Sequence, residues 1–213
     1  GTISVSGTLQ FDLGEDTNVQ TMSSFSSWGV PGSLILKPEL TTPGGSIWSV
    51  NGMTDDEFEN MSGTSMAAPH AAGMAALLGQ YVRENGLAKW TDGNPRTLIN
   101  SLLMSTATPM FDSDGYYLSV LGQGAGLGDA FLAVQAKSFI TMNADATASY
   151  ADGKVKVELG DDPDRTGSYS YSFNITNMSD QALTYELSTD LFTQYLYYGV
   201  YLLTDTDFLR HAP

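Results

Sequence analysis

An α/β unit followed by a partial all-β sandwich is the fold this sequence predicts. Two patterns carry the expectation. One is a run of good helix formers from Ser65 through about Val82, set among short apolar stretches punctuated by Gly and Pro. The other is a change near residue 138, where helix patterns stop and period-two alternation takes over.

In chain order, Ile3, Val5, Leu9 and Phe11 alternate and predict a strand or strand pair within residues 1–11. Ser33 to Glu39 reads as a short buried strand with its loop, and Thr42 to Val50 as a loop entering another strand. Asp55 to Glu59 reads as an acidic turn. The alanines at 67, 68, 71, 72, 75 and 76 make the next helix slim and apolar on nearly all sides, which predicts a central, buried helix. Asn85-Gly86 ends it, and Asn94-Pro95-Arg96 starts a second one through Met104. A glycine-rich loop, Gly122 to Gly128, precedes a short helix from Asp129 to Ala136. Beyond residue 138, strands are expected at 147–150, 154–159, 169–175 and 183–187. About 75 residues remain there, short of the ~100 of a complete sandwich.

The composition narrows the function. Twenty-four acidic against 9 basic residues give a formal charge of −15. Nucleic acid and anionic membrane surfaces are therefore disfavoured partners, since phosphate binding needs clustered Lys and Arg. With no Cys, disulfides, thiol catalysis and cysteine-held metal are excluded. No apolar run approaches the roughly 18 residues of a membrane span. No signal peptide is visible, and both ends read as cut from a longer protein.

The segment Gly63-Thr64-Ser65-Met66-Ala67-Ala68-Pro69-His70 carries the chemistry. Glycine before the helix allows a tight turn that exposes the Ser65 hydroxyl at a helix N-terminus. Free N–H groups and the positive end of the helix dipole there suit a developing oxyanion. Pro69 removes the N–H that would bond the Ser65 carbonyl.

Three stretches together resemble the subtilisin-like serine peptidases: Phe25 to Gly29, Lys37 to Gly44, and Ser62 to His70. The resemblance assigns Ser65 the role of nucleophile. Glu39 stands where that family usually has Asp, and Thr41-Thr42 where it has small apolar residues. Gly122 to Leu127 is similar to the segment closing the catalytic domain in large cell-envelope members. By that resemblance, residues 1–137 are the C-terminal part of the catalytic domain. Residues 1–20 are compatible with the exit strand of an inserted protease-associated domain. Residues 138–213 would be a truncated fibronectin-type-III-like sandwich.

A serine needs a base, and the base an orienting acid. The family takes its Asp, His and oxyanion-donating Asn from segments upstream, and none of these is in the chain. The two histidines are His70 and His211. Five helical residues place His70 roughly 140° around the axis and about 7.5 Å along it from Ser65, which excludes it as base. His211 sits near the chain end, in the sandwich region.

Other signals read as structure. Asp112 to Gly115 and Gly160 to Asp164 are expected to be turns rather than calcium loops. Gly122 to Gly128 lacks the pattern of a phosphate loop. Asn60, Asn174 and Asn177 head chance sequons. The aromatic run Phe192 to Tyr201 is expected in sandwich core, and Trp28 and Trp48 against the serine-bearing helix.

The expected function is that of a fragment of a secreted or cell-envelope-attached serine endopeptidase. It would cleave peptide bonds through an acyl-enzyme on Ser65, with base and acid supplied from upstream. The partner is a protein or peptide substrate, with no nucleic acid and no membrane insertion. No cofactor is expected, and the residues present do not support a structural calcium. Self-association through the exposed face of the truncated domain is a further expectation. The rival reading is a non-catalytic surface or adhesion module with a degenerate peptidase portion.

Overall fold

A computed structural model describes residues 21–29, 35–54, 57–112, 114–143, 153–159, 163–197 and 200–205. The strand expected in residues 1–11, the one at 147–150, and His211 lie outside these. Ile47–Val50 (β1) and Phe58–Met61 (β2) form an antiparallel hairpin, with Ile47 opposite Met61 and Val50 opposite Phe58. Phe58 and Glu59, expected in a turn, are thus in a strand. No strand forms at residues 35–39.

The long helix, Thr64–Glu84 (α1), ends at Gly86 in the left-handed region, as Asn85-Gly86 predicted. A 3₁₀ turn, Leu87–Thr91, leads to Pro95–Ser105 (α2). Asn94 caps α2 by accepting from the N–H groups of Arg96 and Thr97 at 3.1 and 3.3 Å. Val120–Gln123 (α3) is one helical turn, so the glycine-rich segment opens as helix rather than loop. Asp129 then caps Ala130–Gln135 (α4).

Leu78 and Val82 of α1 meet Leu98, Leu102 and Leu103 of α2, Ala133 of α4, and Phe139 in one core. Met74, Leu78 and Val82 recur at fourfold spacing and mark the buried stripe. The expectation of an all-round buried helix is corrected here. Among the described residues α2 and α4 pack on one side of α1, and Leu77 remains 61% exposed. Of the alanines, Ala68, Ala72 and Ala76 face solvent, while Ala67, Ala71 and Ala75 are half-buried.

Ser138–Met142 (β3) pairs antiparallel with Phe173–Asn177 (β4), with Ile140 opposite Ile175. Phe139 is 1% exposed, and the Ile140 N–H donates to the Ser105 hydroxyl at 2.9 Å. The change of pattern at residue 138 is therefore not a break in packing. Phe192–Tyr197 (β5) and Val200–Asp205 (β6) form a second hairpin. The strands expected at 154–159 and 183–187 do not form, and the one at 169–175 starts only at Phe173. Among the described residues this region holds two two-stranded antiparallel pairs.

Residues 153–159 alternate in sequence, yet bond to helix and loop instead of to a neighbouring strand. Gly153 adopts φ +77° with a Cβ position only 2.1 Å from the Thr97 carbonyl oxygen, so no side chain fits there. Its carbonyl accepts from buried Ser101 at 2.9 Å. Phe139→Ala should destabilise the chain by about 3–5 kcal/mol, whereas Tyr185→Ala at an exposed position should change stability by less than about 0.5 kcal/mol. Denaturant unfolding of both variants measures the difference.

Candidate active site

Ser65 is the second residue of α1 and is exposed. The N–H groups of Met66 and Ala67 both turn back to the Gly63 carbonyl, at 3.0 and 3.3 Å. The Ser65 N–H precedes the first helical bond and has no acceptor among the described residues. Gly63 is extended at φ 163°, a conformation open to any residue, and a Cβ there would meet nothing closer than 3.7 Å. The chain does bend at Gly63, but in a conformation that does not require glycine. The glycine requirement sits on the facing loop instead. A Cβ on Gly44 would come within 2.8 Å of the Gly63 carbonyl oxygen and 3.0 Å of the Ala67 Cβ.

That facing loop, residues 41–46, is fastened at both ends. The Gly63 N–H donates to the Gly44 carbonyl at 2.8 Å, and the Ser46 N–H to the Ser62 hydroxyl at 2.8 Å. Thr42 donates to the Ala67 carbonyl at 2.7 Å, and Thr41 to the Gln123 carbonyl at 3.0 Å. Both threonines that depart from the usual family pattern therefore bond through their hydroxyls. An open groove of about 680 Å³ runs beside the start of α1, lined by Phe25, Thr42, Gly44, Gly63, Thr64 and Ala68 among others. An extended chain laid there would pass the N-terminus of α1.

His70 is exposed, and its Nδ1 lies 2.9 Å from the Met66 carbonyl oxygen, one turn back on its own helix. No side chain among the described residues bonds the Ser65 hydroxyl. The nucleophile candidate and a base are not brought together. Trp28 lies over Gly122, and Trp48 stacks on Phe58 with ring centroids 6.2 Å apart. They are 55% and 67% exposed, so the expected burial of both against the serine-bearing helix is not found. Asp112 closes a turn by accepting from the N–H groups of Asp114 and Tyr116, both at 2.9 Å. Asn177 holds a turn through Ser179 and Gln181.

Two supports escaped the sequence reading. Gln123 is buried and satisfied on both ends: its Nε2 donates to the Leu118 and Met110 carbonyls, and its Oε1 accepts from the Met110 N–H. It ties residues 110 and 118 together, and its own main-chain carbonyl accepts from Thr41. The other is a cluster of charge at Glu39. Its Oε1 bonds Lys37, and lies 3.1 Å from Lys154 and 3.2 Å from Lys156. Burial acts to raise the Glu39 pKa, but the hydrogen bonds from Lys37, Lys154 and Lys156 overcome it and hold the group at about 2. The Lys154-x-Lys156-x-Glu158 alternation was visible in the sequence, but its partner lies more than 110 residues upstream.

Comparison with known proteins adds the family context. The sequence pattern described as "Subtilase family" matches residues 1–151. The "PII-type proteinase" of Lacticaseibacillus paracasei is 34% identical over 184 residues, covering 83% of this chain and 9% of that protein. The "PI-type proteinase" of Lactococcus lactis subsp. cremoris matches to the same extent, 34% over 184 residues, with 83% of this chain and 9% of that protein covered. The "C5a peptidase" of Streptococcus pyogenes is 33% identical over 185 residues, covering 86% of this chain and 14% of that protein. The chain thus spans about a tenth of the length of the curated relatives it matches.

Two outcomes test the geometry. Gly44→Ala should displace the start of α1 and cost about 1–3 kcal/mol, read by denaturant unfolding. The second concerns acid. Glu39 has a folded pKa below its ordinary value of 4.5, so its contribution is full above that pH and is lost as pH falls towards about 2. Between pH 5.5 and pH 2.5, Glu39→Gln should lose about 1 kcal/mol less stability than the parent, after allowance for solvent screening.

Proposed function

Since this chain belongs to the subtilase family, we propose that it carries the nucleophile of a serine endopeptidase and that Ser65 forms the acyl-enzyme. The observation that carries the reading is an exposed serine, second in a 21-residue helix whose neighbouring Thr64 and Ala68 line an open groove, with a backbone N–H that no described residue accepts.

The chemistry follows from that placement. A base takes the Ser65 Oγ proton as Oγ bonds to the scissile carbonyl carbon. The carbonyl π electrons move to oxygen, and the Ser65 N–H and the positive helix end stabilise that charge. Collapse breaks the C–N bond, and the base returns its proton to the leaving amine. Water then hydrolyses the ester and restores the hydroxyl. Base and orienting acid come from a stretch of polypeptide other than these 213 residues, because His70 is bonded to its own helix. Side chains and water suffice for every step, so no cofactor enters the proposal.

The substrate is a protein or peptide, bound along the groove of Thr42 and Gly44. The protein works outside the cell or on the cell envelope. Residues 1–137 serve as the catalytic portion, and the β-rich part from 138 onward belongs to a fibronectin-type-III-like domain. The uncovered alanine face of α1 is where the rest of the catalytic portion packs; in its absence the same face drives self-association.

A fluorophosphonate probe tests the reading. In protein that includes the Asp- and His-bearing segments, labelling at Ser65 should be rapid and stoichiometric by peptide mapping, and Ser65→Ala should abolish it. The 213-residue chain alone should label at least about 100-fold more slowly, for lack of general-base catalysis. Absence of Ser65 labelling in the larger protein would favour a non-catalytic surface module.

A further inference from the structure

We infer that Glu39 is a positioning residue for the Ser65 site, held by a lysine clamp that the post-138 segment supplies. The inference deepens the peptidase reading and rests on it for its catalytic consequence.

The segment 153–158 is a rail fixed along α2. Gly153 packs against Thr97 and bonds Ser101, and the Val155 N–H meets the Met104 sulfur at 3.3 Å. From this rail Lys154 and Lys156 reach Glu39, and Lys156 also lies 3.2 Å from Glu158. The Lys156 side chain is only 6% exposed and donates to the Leu36 carbonyl as well. The Leu36 N–H returns the contact by donating to Glu158 at 2.9 Å. Lys37 closes the cluster from the loop itself. Three ammonium groups thus surround two carboxylates, and both faces of the loop at Leu36–Glu39 are tied to the rail.

The tie leads straight to the serine. The Glu39 carbonyl accepts from the Ala125 N–H at 3.0 Å. Two residues on, Thr41 is bridged to Leu127, and Thr42 donates to the first turn of α1. Gly44 then accepts from the Gly63 N–H. Only four residues lie between the clamped Glu39 and Gly44, whose carbonyl seats the N-cap of α1. So short a tether leaves little slack, and release of Glu39 is felt at residues 41–46 and 63–67. Glutamate suits the role better than the family's usual aspartate, because one more methylene lets the carboxylate reach lysines anchored on another segment.

Two variants separate this from general stability: Glu39→Gln removes the charge at constant shape, and Lys154→Met removes one clamp from the less buried side. Amide hydrogen exchange on the 213-residue chain should quicken at least about threefold at residues 40–46 and 63–67 in both variants, with Leu78, Val82 and Leu98 to Leu103 unchanged. The double variant should be no worse than Glu39→Gln alone, since Glu39→Gln already breaks the Lys154 ion pair. Uniform acceleration across the core, or no change at 40–46, overturns the inference. In protein that carries the whole site, Glu39→Gln should slow fluorophosphonate labelling of Ser65 by about 3–10-fold, and Glu39→Asp should restore part of it. A labelled parent with an equally fast Glu39→Gln variant overturns the positioning role alone. An unlabelled parent overturns the peptidase reading, and the exchange experiment still decides whether the clamp holds the loop.

Discussion

The contact between the loop at Thr42–Gly44 and the start of α1 is the constraint on which the rest depends. A helix N-terminus presents unpaired N–H groups, and here one of the nearest, that of Gly63, is consumed by Gly44. Thr42 bonds the Ala67 carbonyl from the other side. The loop can approach this closely only because residue 44 has no Cβ. Among the described residues the result leaves the Ser65 N–H without an acceptor and Ser65 exposed, next to Thr64, which lines a groove walled by the same loop.

Support for that contact comes from two directions. One is apolar: the stripe Met74, Leu78, Val82 fixes α1 on α2, α4 and Phe139. Burial of this kind is non-directional and holds the helix in place without aiming its N-terminus. The other is polar and directional. Gln123 fixes residues 110 and 118, Thr41 bonds the Gln123 carbonyl, and Glu39 is clamped by lysines from residues 153–158. The helical portion and the β-rich portion therefore share both a core, through Phe139, and an ion cluster, through Glu39.

Helices were largely legible in the sequence because their signals are local. Asn94-Pro95 and Asp129 cap their helices as capping chemistry requires, and Asn85-Gly86 stops α1. Strands were less so. Lys154 to Leu159 alternates like a strand, but alternation declares two faces and not a hydrogen-bonding neighbour; its neighbours are α2 and a loop. The hairpin partner of β1 was hidden by the acidic residues at 55–59, whose charge suggested a turn. The aromatic pair Trp48–Phe58 becomes visible only once β1 and β2 are paired.

By itself the sequence determined the nucleophile candidate, its place at a helix start, and the unsuitability of His70. The first rests on the resemblance of residues 62–70 to the subtilisin-like peptidases, the second on local sequence, and the third on the pitch of a helix. It determined likewise that no cysteine chemistry operates. Tertiary structure alone decided which glycine the site requires, what the hydroxyls of Thr41 and Thr42 do, and why Glu39 stays ionised in a half-covered place. Those facts arise from groups brought together across 20 to 120 residues of chain. No local pattern encodes such a meeting, because the energy that selects it belongs to the packed molecule rather than to any one segment.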